Sequence, residues 1–161
     1  MQRLIQGLKT RFKAAKRIAL LGVGSELRGD DAVGIMVADG LVKSCRSRKF
    51  KAFLGHTAPE NLTGEIRAFK PTHLVIIDAA EMGKKPGEAA FIDLDNLSGV
   101  TFSTHQLPMK ILADYLTQEV GCHISVIGVQ TKQLKFDSKA SKEIVSATRQ
   151  LVKVIKQAAQ A

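Results

Sequence analysis

Tryptophan is absent from the 161 residues, tyrosine occurs once, and there are only four prolines and two cysteines. With so few aromatics and no aromatic-basic interleaving, the chain has little on which nucleic-acid bases could stack. Cys45 and Cys122 lie far apart without a CxxC pair. That excludes a zinc knuckle, a dithiol redox motif and a disulfide scaffold, and leaves two reduced thiols of a cytoplasmic protein as the expectation. No apolar run approaches the roughly 20 residues that a membrane helix needs, so no membrane partner is expected. The basic start before residues 18–23 imitates a secretion signal, but that apolar stretch is too short and no small-residue cleavage site follows it.

What is present suits one globular unit. Apolar residues make up 45% of the chain, and at this length roughly 70% of the unfolded surface would be buried. No internal repeat, low-complexity tract or linker interrupts residues 1–161, so a single domain is expected. Its net charge of +9 is uneven: residues 1–17 carry +6 and residues 132–161 carry +5, leaving −2 for 18–131. A nucleic-acid-binding core would concentrate charge on its binding surface. Charge on the two ends reads instead as solvated faces of terminal helices, with residues 1–16 a basic amphipathic extension and 17–161 the core.

Two hydrophobic periods alternate along that core. Short β-rich runs occur at 17–23 (RIALLGV), 50–54, 73–77 (HLVII), 89–94 and 123–129 (HISVIGV). IALLGV and LVII are continuously apolar, as strands covered on both faces are. Helical spacing occupies 31–43, with Val33, Met36, Val37 and Leu41 on one stripe. It returns at 107–116 with Met109, Leu112 and Leu116, and at 138–159 with Ile144, Ala147, Leu151, Val154 and Ile155. Pro59 opens a further short helix, and residues 2–15 form an amphipathic segment. The order predicts an α/β three-layer sandwich: a twisted, mostly parallel five-stranded sheet with helices on both faces. Residues 89–94 follow the third strand too closely for a crossover helix, so that strand is expected to run antiparallel.

In such sheets ligands bind beyond the carboxyl ends of the strands. The loop after the first strand is GVGSELRGDDAVG, Gly22–Gly34. It is not a dinucleotide fingerprint, since Leu27 stands where the third glycine belongs. It is not a phosphate loop either, because Asp30 and Asp31 replace the required Lys-Ser/Thr. One of these aspartates reads as a helix cap; a second is only partly explained that way. Asp78 ends the LVII strand, and His105 lies in the loop after the fourth. His73 and His123 begin strands, on the opposite edge, and His56 has no clear role. Asp31, Asp78 and His105 thus converge on one edge as two carboxylates and an imidazole. An open O,O,N set suits a divalent transition metal, and two carboxylates alone could share a proton as an aspartic pair. Spacing leaves both open.

The motifs together are more specific than any one. GVGSELRGDDAVG, TAPEN (57–61), LVIIDAAEMGKKPGE (74–88), STHQLP (103–108) and IGVQ (127–130) resemble, over about residues 18–135, the NiFe-hydrogenase maturation endopeptidases. The likeness is nearest to the branch acting on formate-hydrogenlyase-type hydrogenases. Small departures occur, such as Ser25 after Gly24 where Asn is usual and Thr131 after IGVQ where Pro is common.

The resemblance implies a peptidase that removes the C-terminal extension of a hydrogenase large-subunit precursor after nickel insertion. It implies Asp31, Asp78 and His105 as the metal-contacting residues, with Asp31 and Asp78 also catalytic. The nickel would be carried by the substrate's cysteines near the scissile bond rather than held permanently. The partner would be the precursor, and the protein a monomer. A non-catalytic nickel-site chaperone of the same fold and a general metal-dependent peptidase or amidase are the alternatives. Nucleic-acid binding through the basic ends is weaker still.

Overall fold

A computed structural model describes residues 1–103 and 108–160. The strands are β1 (Ile18–Val23), β2 (Phe50–His56), β3 (His73–Glu81), β4 (Ala89–Ile92), β5 (Thr101–Phe102) and β6 (His123–Gln130). The helices are α1 (Gln2–Lys13), α2 (Val33–Ser44), α3 (Thr63–Phe69), α4 (Met109–Val120) and α5 (Lys142–Gln160). Single 3-10 turns, Gly29–Ala32 and Pro59–Leu62, lead into α2 and α3.

The sheet order is β2-β1-β3-β6-β4, parallel except for β4, which runs antiparallel to β6 as expected. The expected five strands become six. β3 outruns β1, whose last partner on it is Ile77, and β5 pairs antiparallel with the stretch beyond, at Ala80 and Glu81. Backbone groups that β1 leaves unpaired are thereby satisfied. Asp78 accordingly lies within β3, at the point where β1 stops, rather than at the strand's end.

Strand alternation divides the core into two clusters. Leu20, Val75, Ile77, Ile127 and Val129 face α1, α2 and α5. Leu21, Leu74, Ile76 and Val126 face α3 and α4. The expected helical stripes are buried, apart from Met36, which is half-buried. The basic N-terminal segment is part of this core: α1 buries Leu4, Leu8 and Phe12 while its charges face outwards. Its Arg11 Nε donates to Ser125 Oγ at 3.1 Å, and the guanidinium stacks 3.9 Å from the Phe91 ring centroid.

From β1 the chain turns to β2 on one side; β3 lies on the other. The switch point in strand order therefore falls between the carboxyl ends of β1 and β3.

Candidate active site

Glycines let the β1–α2 loop close over this switch point. A Cβ on Gly22 would lie 2.1 Å from the Gly34 carbonyl oxygen. One on Gly34 would lie 2.2 Å from the Val23 oxygen and 2.4 Å from the Ile77 oxygen. The start of α2 is thus seated directly on the ends of β1 and β3. Gly24 has φ +143°, and a Cβ there would sit 1.9 Å from the Asp31 oxygen, which accepts the Ser25 N–H at 3.3 Å. Asp31 follows β1 through this loop, and Asp78 follows Ile77. The backbone contact of Gly34 with Ile77 brings their two chain segments together at the carboxyl edge.

Sequence alone left the Asp30–Asp31 pair partly unexplained, with helix capping as the simplest account. Neither side chain makes a cap hydrogen bond. Asp30, fully buried, turns to the loop after β6. Its Oδ2 accepts the N–H groups of Lys132 (2.7 Å) and Gln133 (3.1 Å), and its Oδ1 accepts that of Ser141 (2.6 Å). This clasp accounts for α5 beginning at Lys142 instead of residue 138: the preceding residues are drawn to Asp30. Asp31 is equally buried, yet its Oδ1 accepts no hydrogen bond from any described residue. Burial raises its pKa above the usual carboxylate value, outweighing the Arg28 guanidinium and the Ser25 N–H, which lower it. A buried carboxylate oxygen without a donor is costly unless something else meets it. Asp30 is the structural member of the pair, and Asp31 keeps a buried oxygen that no described residue meets.

Asp78 is fully buried in β3 opposite Gly128 of β6. His105, the third residue of the expected set, lies outside the described residues. The chain just before it is placed: Ser103 N–H donates to the Ala79 oxygen at 3.0 Å, one residue beyond Asp78. Among the described residues no group of three His, Cys, Asp or Glu could hold a metal. Asp31 and Asp78 are two buried carboxylates on neighbouring chain segments at this edge.

His73 and His123 sit in register at the opposite edge of the sheet, as expected. His73 Nε2 lies 2.9 Å from Ser125 Oγ, and burial first, then Arg11 and His123, lowers its pKa to about 4. His56 is exposed, and its backbone serves the site: φ is +50° and its carbonyl accepts the Gly24 N–H at 3.0 Å. Gln130, which closes β6, had been given no role. Its Oε1 accepts the Met82 and Lys84 N–H groups at 2.8 and 3.1 Å, and its Nε2 donates to Glu81 at 2.8 Å. It fixes the turn leaving β3 just beyond Asp78. A buried polar amide closing the VIGV stretch of β6 was the signal for it.

Comparison with known proteins shows the family. The family model described as hydrogenase maturation protease matches residues 35–158. The chain belongs to the hydrogenase maturation protease family. It is 35% identical over 112 residues to the hydrogenase 3 maturation protease of Escherichia coli K12, covering 69% of this chain and 70% of that one. Among solved structures, the maturation protease HycI from Thermococcus kodakarensis KOD1 superposes with a TM-score of 0.87. It is 31% identical and the match covers 96% of this chain and 99% of that one. The solution structure of the Escherichia coli endopeptidase HycI gives a TM-score of 0.77 at 30% identity, over 88% and 90% of the two chains.

The protein is therefore a peptidase of hydrogenase maturation, with the α/β fold of that family. Read from its motifs, the likeness runs over about residues 18–135; the family match begins later, at 35, and reaches further, to 158 in α5. No helix among the described residues is long and apolar enough to cross a membrane.

Proposed function

We propose that this peptidase removes the C-terminal extension of a NiFe-hydrogenase large-subunit precursor after nickel has been inserted, and that Asp31, Asp78 and His105 engage nickel carried by that substrate. The observation that carries the reading is the buried, donorless Oδ1 of Asp31 at the switch point, on a loop seated against the strand that holds Asp78. A carboxylate desolvated in this way is prepared for a cation that arrives with the substrate. Oxygen and imidazole donors are adequate for nickel, and an incomplete shell leaves room for the precursor's thiolates.

Burial also suits Asp31 to proton transfer. Its raised pKa brings the carboxylate nearer to the working pH, so it can accept a proton from an attacking water and return it to the departing amide nitrogen. Asp78, on rigid β3, supplies the second negative group from the neighbouring segment. Nickel-dependent docking then acts as a checkpoint, since an empty precursor lacks the ion that these residues meet.

Mass spectrometry of precursor incubated with the protein, with and without nickel loaded, tests the reading. A C-terminal peptide released only from the loaded precursor is expected. Asp31→Asn, Asp78→Asn and His105→Ala should each slow release by at least about 100-fold, the usual range for loss of a proton-transfer group. Equal cleavage of the nickel-free precursor would overturn the checkpoint. Binding without release would point to a chaperone, and cleavage of unrelated peptides to a general peptidase.

A further inference from the structure

Two large apolar side chains stand in water beside the site. Leu27 is 61% exposed and Phe136 is 69% exposed. They lie on different loops, 24–31 after β1 and 131–141 after β6. Those loops are joined backbone to backbone: Asp137 N–H donates to the Leu27 oxygen at 2.8 Å, Gly29 N–H to the Ser138 oxygen and Asp30 N–H to the Gln133 oxygen, both at 3.1 Å. The Asp30 clasp adds three more bonds.

The tip that carries Phe136 is itself fixed. Asp137 is left-handed at φ +56°, a conformation that Asp tolerates better than most residues. Ser138 Oγ and the Lys135 N–H both donate to Gln133 Oε1, at 3.1 and 2.8 Å. A buried carboxylate and a string of loop-to-loop bonds thus hold two residues whose side chains remain mostly in water.

We infer that Leu27 and Phe136 form a preorganised docking platform for an apolar segment of the precursor polypeptide next to the cleaved bond. The inference rests on the proposed function, because the occupant is its substrate. Position selects that occupant. Leu27 is four residues from Asp31 in a loop closed by the Ser25–Asp31 bond, so the joined loops flank the edge that carries the carboxylate. Of the other large exposed apolar residues among those described, Val42, Ile111 and Tyr115 lie on helices and Met1 precedes α1. An apolar centre with Arg28 and Lys135 around it has the anatomy of a binding hot spot. Rigid loops also lower the ordering cost that association would otherwise carry.

The test is the Kd of the full-length protein, alone and with L27S/F136S added, for nickel-loaded precursor whose scissile residue is replaced so that it is not cut. Truncating two hot-spot residues should weaken binding by about thirtyfold. Val42→Ser, which removes an exposed apolar side chain at the far end of α2, should leave Kd unchanged. An L27S/F136S Kd equal to that of its parent, or an equal loss with Val42→Ser, would overturn the platform. Failure of the unsubstituted protein to cut the loaded precursor with its natural scissile residue would refute the proposed function alone, because the Kd comparison does not depend on cleavage.

Discussion

Asp30 and Asp31 are adjacent, chemically identical and equally buried, so replacing each by asparagine separates their roles. In Asp30→Asn the new side chain has one acceptor oxygen where the carboxylate has two. Its best orientation keeps that oxygen on the Lys132 and Gln133 N–H groups and sets its amide NH2 against the Ser141 N–H, now 2.6 Å from Oδ1. One charge-assisted hydrogen bond becomes a donor facing a donor, and the other two lose their charge. With about 1.5–3 kcal/mol for a hydrogen bond to a charged group, the total loss is on the order of 3 kcal/mol. In a chain of this size that lowers Tm by roughly 6–12 °C.

Asp31→Asn should do the opposite. The folded-state pKa of Asp31 is raised by burial, so folding favours its neutral form. The charged wild-type side chain therefore costs stability increasingly as pH rises from the unfolded value of 3.8 through the folded one. Asparagine removes that cost. The variant's Tm should equal or exceed the wild type's at pH 7, with the advantage vanishing in acid below the unfolded value. Thermal melts of the three proteins by circular dichroism at pH 7 and pH 3, beside the processing assay, decide the matter. Asp30→Asn melting with the wild type, or Asp31→Asn melting well below it, would refute the division of labour between the two residues.

Further outcomes follow from the packing and from the amino edge of the sheet. Gly22→Ala places a methyl 2.1 Å from the Gly34 oxygen and should cost about 3 kcal/mol or more, whereas Gly64→Ala, with open space around it in α3, should gain up to about 1 kcal/mol; urea denaturation measures both. His73 should titrate near pH 4 by NMR instead of near 6.5, because burial disfavours its charged form. Its folded pKa is depressed, so the unfolded chain binds more protons between about 4 and 6.5. The associated stability, on the order of 3 kcal/mol, is complete above pH 6.5 and lost as pH falls towards 4. A midpoint near 6.5 would contradict the burial of this ring.

Sequence by itself was enough for everything that depends on period and order. Continuous apolar runs marked β1 and β3 as central strands, helical stripes marked α2, α4 and α5, and their alternation placed Asp31 and Asp78 at one edge. The motifs identified the family. These features are legible because side-chain spacing along an element reports which of its faces is covered. The departures have local causes: β5 exists because β3 outruns β1, and α5 starts late because Asp30 captures the chain before it.

What only the tertiary structure decided are partnerships across long chain separations. Asp30 meets Ser141 over 111 residues, and nothing in the dipeptide Asp-Asp says which carboxylate will find three backbone donors and which will be left with an unmet oxygen. The same holds for Leu27 and Phe136, two ordinary loop residues until Asp137 bonds the Leu27 carbonyl and joins their loops at the active edge. Hydrogen-bond satisfaction belongs to the folded neighbourhood, whereas hydrophobic period belongs to the segment.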